Sequence, residues 1–221
     1  MSSNSEMIAY EQVCIIVDFG KGSKIMQTAK KHGISGGTIL VGKGTVKNRL
    51  LEMLGINDIR KEIIILVSDK STVHHAIEQL DKQFKFSKPN HGIVFTTSIY
   101  RVLGAKCMKE TINEESGVNN TMYHAITVIV EKGNAELVID AANEAGSKGG
   151  TIINARGSGI HETSKLFSMT IEPEKELVLI LSEKESTENI ISSIRSKLKI
   201  DEPGNGIIFI QDVNKTYGLY Q

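Results

Sequence analysis

KHGISGGTILVGKG, residues 31–44, returns as EAGSKGGTIINARG, residues 144–157. Outward from this stretch the match continues. KEIIILVSDK (61–70) pairs with KELVLILSEK (175–184), and PNHGIVF (89–95) pairs with PGNGIIF (203–209). The copies sit about 113 residues apart with one single-residue slip, the mark of an internal duplication. Any function must then be explained by a unit of about 100 residues, an ordinary domain size. We divide the chain into a first domain at 1–104, a linker at 105–122 and a second domain at 123–221.

Periodicity within each copy gives the element order. Residues 13–17, Val-Cys-Ile-Ile-Val, form a short apolar run of strand type. A helix follows over 24–32 and stops at Gly33. In the second copy Val138, Ala141, Ala142 and Ala145 fall at i, i+3, i+4 and i+7 before Gly146. Next come a glycine-led strand from Gly37 or Gly150, a long polar segment (43–61 or 156–175), and a third strand (63–67 or 177–181). A second helix is marked by Val73, Ala76, Ile77, Leu80 and Phe84. Thr187, Ile190, Ile191, Ile194 and Leu198 repeat the same offsets. Pro89 and Pro203 interrupt the chain before a fourth strand (93–95 or 207–209). Strand, helix, strand, strand, helix, strand is an α+β, ferredoxin-like βαββαβ unit, here in two tandem copies. Each unit predicts a four-stranded antiparallel sheet with helices on one face. The other face must pack on something, either the second copy or another chain. The polar stretch 105–122 reads as a linker or as extensions of the strand ends.

Composition excludes several classes. Lys and Arg number 26, as do Asp and Glu, for a formal net charge of zero. A general nucleic-acid or membrane-surface binder would need a basic excess. The opening MSSNSEMIAYEQ has no apolar signal-type core, and the longest apolar runs are far too short to span a bilayer. A cytoplasmic location is expected. The two cysteines, Cys14 and Cys107, read as free thiols in a reducing compartment, and no Cys/His spacing resembles a zinc site. No nucleophile–base arrangement recurs in both copies. Cys14, for example, is replaced by Thr127, so an enzyme is not expected. His74, His75 and His161 read as solvated side chains.

Three elements recur where chemistry could sit. One is the glycine-rich entry to the second strand with the residues after it: Thr38, Lys43 and Gly44, or Thr151, Arg156, Gly157 and Gly159. The second is the long loop that follows. The third is the turn before the fourth strand: Asn90, His91 and Gly92, or Gly204, Asn205 and Gly206. Glycines let backbone N–H groups approach an anion closely, and a neighbouring Lys or Arg adds charge. The same glycines also make ordinary turns.

In these residues both copies, over roughly 10–104 and 123–220, resemble the nitrogen-regulatory PII signal-transduction family. The resemblance implies a non-enzymatic sensor of a small anionic metabolite: ATP or ADP as ligand, with 2-oxoglutarate near the base of the long T-loop. It also implies a homo-oligomer, a trimer in the family, whose T-loops regulate a transporter or enzyme. By the same resemblance Thr38 and Thr151 lie beside the adenine. Lys43-Gly44 and Arg156-Gly157 form the T-loop base, joined by Gly159. Gly92, Gly204 and Gly206 belong to the phosphate-cradling B-loop, where Asn90, His91 and Asn205 also lie. No covalently bound cofactor is implied. The sequence departs from the family pattern in four ways. Ile93 and Ile207 stand where a lysine is usual, the T-loop tyrosine has no counterpart in 43–61 or 156–175, the arginines after the fourth strand are not reproduced in register (Arg101, Lys106 and Lys215 lie nearby), and the family is mostly single-copy. Two other readings of the unit are a ligand-free assembly module and a CutA-like metal-tolerance protein. The second copy, which keeps more of the pattern, is the expected better binder.

Overall fold

The computed structural model describes residues 9–44, 59–89, 91–104, 122–159, 164–166 and 169–213. In the first copy β1 (Tyr10–Asp18), α1 (Gly22–Lys31), β2 (Gly37–Gly44), β3 (Ile59–Asp69), α2 (Lys70–Phe84) and β4 (Ile93–Ile99) follow the predicted order. The second copy repeats it with β6 (Tyr123–Glu131), α3 (Ala135–Glu144), β7 (Thr151–Ser158), β10 (Glu174–Glu183), α4 (Lys184–Leu198) and β11 (Ile207–Val213). Three short strands were not foreseen: β5 (Arg101–Leu103) and the hairpin β8 (Ser164–Leu166)–β9 (Met169–Ile171) inside the second long loop.

Helix ends follow the local chemistry. Asp69 has extended backbone and accepts from the Thr72 amide at 2.9 Å, an N-cap that starts α2. The first helix of each copy ends as the glycines predict, with Gly33 and Gly146 at φ of 97° and 95°. α1 buries Ile25, Met26 and Ala29, and α2 buries Val73, Ala76 and Leu80. Both pack on Val13, Ile15, Val17, Ile64 and Leu66 of the sheet. α3 and α4 pack likewise on Ile126, Val128, Val130, Val178 and Ile180. Strand side chains alternate between faces, so one face of each sheet is covered by its own helices.

The strand order is β4-β1-β3-β2-β7-β10-β6-β11-β5, all antiparallel. The two four-stranded sheets join edge to edge through β2 and β7, with Gly37 opposite Ser158 and Leu40 opposite Ala155. β4 and β5 end the order on opposite sides, yet only Tyr100 separates them in the chain. At that residue one continuous strand leaves β1 and takes up β11, pairing Arg101 with Ile210 and Leu103 with Ile208. The ribbon of strands therefore returns on itself. The faces not covered by helices turn toward each other around Tyr10, Leu40, Val67, Ile99 and Val102 of the first copy and Ile129, Leu177 and Phe209 of the second. Of the two partners open to the uncovered face, the chain uses its own second copy.

Two boundaries differ from the sequence reading. β2 runs to Gly44 and β3 begins at Ile59, inside the segment read as polar loop, because Lys43 pairs with Arg60 and Gly42 with Lys61. Charged residues cost a strand nothing where it leaves the core, and apolar periodicity cannot see them. β5, inside the first domain's range, pairs with the second domain.

Candidate functional site

Arg156 sits on β7 opposite Ile39 of β2, so its side chain reaches into the first copy. Its Nη2 donates to Glu62 Oε1 at 2.7 Å and its Nε to Glu172 Oε2 at 2.8 Å. Glu62, on β3, is fully buried, and its other oxygen accepts from the Gly22 amide at 2.6 Å, at the start of α1. Glu172 closes the second long loop and also accepts from Ser23 Oγ at 3.1 Å. Lys30 of α1 donates to the Gly159 carbonyl at 3.3 Å, and the Gly157 amide donates to Pro173 O at 3.0 Å. Both ends of the second long loop are thus anchored, and the anchors lie largely on the first copy.

The electrostatics follow from this arrangement. Burial pushes the Glu62 carboxyl up, but the Arg156 guanidinium and the Gly22 and Gly20 amides outweigh it and hold it below its ordinary value. Burial alone would lower the Arg156 value, but Glu62 and Glu172 together raise it. The guanidinium is charged throughout. Two buried carboxylates bonded to one cation are far more favourable than either left alone.

The other sequence-predicted residues fall in several places. Thr38 is buried on β2 opposite Gly157 of β7. A Cβ at Gly157 would run into the Gly37 carbonyl oxygen, so this glycine permits the close approach of the two copies. Lys43 and Gly44 end β2 opposite Arg60 and Ile59. Thr151 opens β7, exposed, opposite Leu179. Asn90 lies outside the described residues. His91 is exposed, and its Nδ1 lies 2.8 Å from the Phe84 carbonyl, at the end of α2. Asn205 bonds the Lys199 carbonyl in the same way at 3.0 Å, at the end of α4. Gly92 and Gly206 have φ of 127° and 143° and lie against the Ile16 and Ile129 carbonyls, a conformation that side chains resist. Gly204 and Gly159 face open space.

The structure brings Arg156, Gly157 and Thr38 together across the junction of the copies. It does not bring the turn residues to them. In the second copy, β10 and β6 stand between β7 and β11, so Gly204–Gly206 lie three strand spacings, about 14 Å, from the loop base. Sequence reading missed Glu62 and Glu172. Glu62 had a signal: the Lys-Glu pair at 61–62 recurs at 175–176. Glu176 likewise accepts from the Gly133 and Ala135 amides at 3.0 Å, at the start of α3.

Elsewhere, Cys14 is buried with its thiol pushed up by burial, and Cys107 lies outside the described residues. His74 is exposed, 3.6 Å from Glu11. His161 is outside the described residues. Among the described residues no group of three or more His, Cys, Asp and Glu is placed to hold a metal ion, and no helix is long and apolar enough to cross a membrane.

The fold and this seam define a class: a tandem pair of ferredoxin-like units whose long loop in the second unit is anchored on the first. The chain resembles the P-II family, and the second copy carries the resemblance by sequence. Residues 123–220 match the family model described as Nitrogen regulatory protein P-II. No curated protein matches the chain. Among solved structures the chain is similar to Arabidopsis thaliana PII bound to citrate, at 22% identity over 44% of this chain and 80% of that one, with a TM-score of 0.34. It is also similar to the B. subtilis GlnK-ATP complex, at 21% identity over 47% of this chain and 94% of that one, with a TM-score of 0.35. A microcompartment protein from Desulfitobacterium hafniense covers 94% of this chain at 9% identity and a TM-score of 0.28.

Proposed function

We propose that the chain is a non-enzymatic, P-II-like regulatory protein whose second copy senses a small anionic metabolite and signals through its long loop. The observation that carries this is the anchoring of that loop, within the residues that match the P-II model, through Arg156 at its start and Glu172 at its end. A loop held by charged contacts at both ends has two arrangements, held and released. A ligand that favours one of them shifts the population a partner meets.

The ligand reading follows the resemblance: an adenine nucleotide, with 2-oxoglutarate as a second effector. The proposed contacts in the second copy are Thr151, Arg156, Gly157, Gly159, Gly204, Asn205 and Gly206. In the first copy they are Thr38, Lys43, Gly44, Asn90, His91 and Gly92. The separation of loop base and turn calls for an extended ligand, and a nucleotide is one. The proposed partner is a transporter or enzyme contacted by the loops, in the cytoplasm. The division at 1–104, 105–122 and 123–221 belongs to this reading, as does a trimer. Ile93 and Phe95, exposed on the sheet face away from the helices, are where further chains would meet.

A second reading, an assembly module without ligand, is favoured by one observation: Arg156 already holds two carboxylates. Isothermal titration calorimetry with ATP and ADP, with and without Mg²⁺ and 2-oxoglutarate, separates the two. Saturable micromolar binding supports the sensor. Absence of heat and of thermal stabilisation with all of them supports the module. Light scattering that gives the mass of one chain overturns the trimer.

A further inference from the structure

We propose that Glu172 is a tethered carboxylate that occupies Arg156 until a small anionic metabolite displaces it, so that binding frees the end of the second long loop from helix α1 of the first copy. The inference rests on the reading of Arg156 as the anion-binding cation of the second copy.

The two carboxylates on Arg156 are not equivalent. Glu62 projects from β3, its side chain 1% exposed, and its second oxygen holds the Gly22 amide at 2.6 Å. Its departure would strand a buried amide as well as a guanidinium edge, and a buried group without a partner is costly. Glu172 stands in the loop, next to Pro173. A single oxygen, Oε2, takes both of its bonds, from Arg156 Nε at 2.8 Å and Ser23 Oγ at 3.1 Å. Its side chain is 6% exposed, and its departure unpairs Arg156 Nε and the Ser23 hydroxyl but strands no backbone amide. Glu172 is therefore the exchangeable partner and Glu62 the fixed one.

Access and chemistry agree with this. The Arg156 side chain is 29% exposed, so it is not sealed from solvent. A carboxylate or phosphate oxygen offers Nε the same charge-assisted bond that Glu172 makes. The tether makes the competition intramolecular, so the ligand's apparent affinity falls by the fraction of molecules in which Arg156 is released. Loss of the Glu172 contact leaves the loop end held by the Gly157–Pro173 backbone bond and cuts its link to Ser23 on α1. Occupancy of the anion site is thereby read out as freedom of the loop relative to the other copy.

The test is Glu172→Gln in the full chain. This change keeps the side chain's size and its acceptor for Ser23 but removes the charge. Wild type, E172Q and Arg156→Ala are titrated with inorganic phosphate and separately with 2-oxoglutarate. Amide hydrogen exchange is followed over 169–174 with and without each anion. The expected result is binding at least tenfold tighter in E172Q than in wild type, lost in R156A. In wild type, ligand should raise exchange over 169–174. Binding in E172Q no tighter than in wild type, with R156A still abolishing it, overturns the tether but leaves Arg156 as the anion site. Binding unaffected by R156A, or absent from wild type and E172Q alike, overturns the reading of Arg156 and the tether with it. If E172Q does not fold, Ser23→Ala removes the other bond to Glu172 and is expected to tighten binding several-fold. Unchanged binding in that variant overturns the tether.

Discussion

Val102 of β5 lies opposite Phe209 of β11, and both belong to the core between the copies, where Phe209 is 1% exposed. Phe95, the residue in the first copy that repeats Phe209, is 46% exposed. One side chain in two copies of the same unit thus has two fates. Phe209→Ala is expected to cost about 3–5 kcal/mol, the usual loss for a buried phenylalanine. Phe95→Ala should cost less than about 1 kcal/mol, since nearly half of Phe95 is already exposed. Urea unfolding midpoints of the two variants check this difference.

Glu62→Gln leaves Arg156 with one carboxylate instead of two and is expected to destabilise by about 3 kcal/mol. The acid limb of the stability curve should change too. Burial raises the Glu62 carboxyl, but its bonds hold it below its ordinary value overall, so its contribution is present above the unfolded value and lost as pH falls through the folded one. Wild type should therefore lose stability below the ordinary carboxylate range, and E62Q should lose less there. Thermal midpoints from pH 7 to pH 2 measure it.

Asp69 caps α2, while Glu183, at the same place before α4, makes no capping bond. Asp69→Ala should cost about 1 kcal/mol, and Glu183→Ala close to nothing. Burial works against the Asp69 charge, but its bonds with Ser71, Thr72 and Ser68 bring its carboxyl down to about 2. The advantage of aspartate over alanine should thus fade as pH falls from the ordinary carboxylate value toward 2. Chemical denaturation of both variants at two pH values tests this.

His124 is buried, stacked on Tyr100 with ring centroids 5.1 Å apart, beside Thr187 and 3.3 Å from Asp212. Burial lowers its value from 6.5. The Asp212 charge pulls it back up, Lys184 pushes it down, and Glu188 adds a smaller upward pull. A depressed histidine stabilises above its unfolded value and loses that contribution as pH falls through 6.5 toward the folded one. Wild type should weaken between pH 7 and pH 5, and His124→Gln should flatten that slope. Urea midpoints across the range decide it.

Gly157→Ala places a methyl group against the Gly37 carbonyl, whereas Gly159→Ala points into open space. The first should separate β2 from β7 and cost about 1–3 kcal/mol. The second should be nearly neutral. Hydrogen exchange over 37–40 and 155–158 shows whether the ladder has opened.

Both βαββαβ units were legible because their information is local. The offsets of Val73 to Phe84, the glycines that stop the first helices and the prolines at 89 and 203 all act within a few residues. The closure was not legible. Nothing in Tyr-Arg-Val-Leu at 100–103 says that its strand partner lies a hundred residues away, since pairing with β11 depends on where both sheets have already been placed. The site divided in the same way. Arg156 was found because it recurs as a basic residue beside a glycine, matching Lys43. Glu172 stands in a loop that differs between the copies, and its counterpart in register, Asp58, shares its charge but has no repeated motif around it to draw notice. The turn glycines were visible as glycines, but the sequence did not show that His91 and Asn205 are spent on the carbonyl ends of helices.

The return of the strand ribbon through Tyr100 also sets how the molecule answers to dilution. Two separate chains that met through the same faces would come apart as they became scarce. Here both halves share one backbone, and each meets the other at an effective concentration on the order of millimolar, whatever the number of molecules present. A protein built this way keeps its seam, and the arginine that crosses it, intact at the lowest copy numbers a cell can hold.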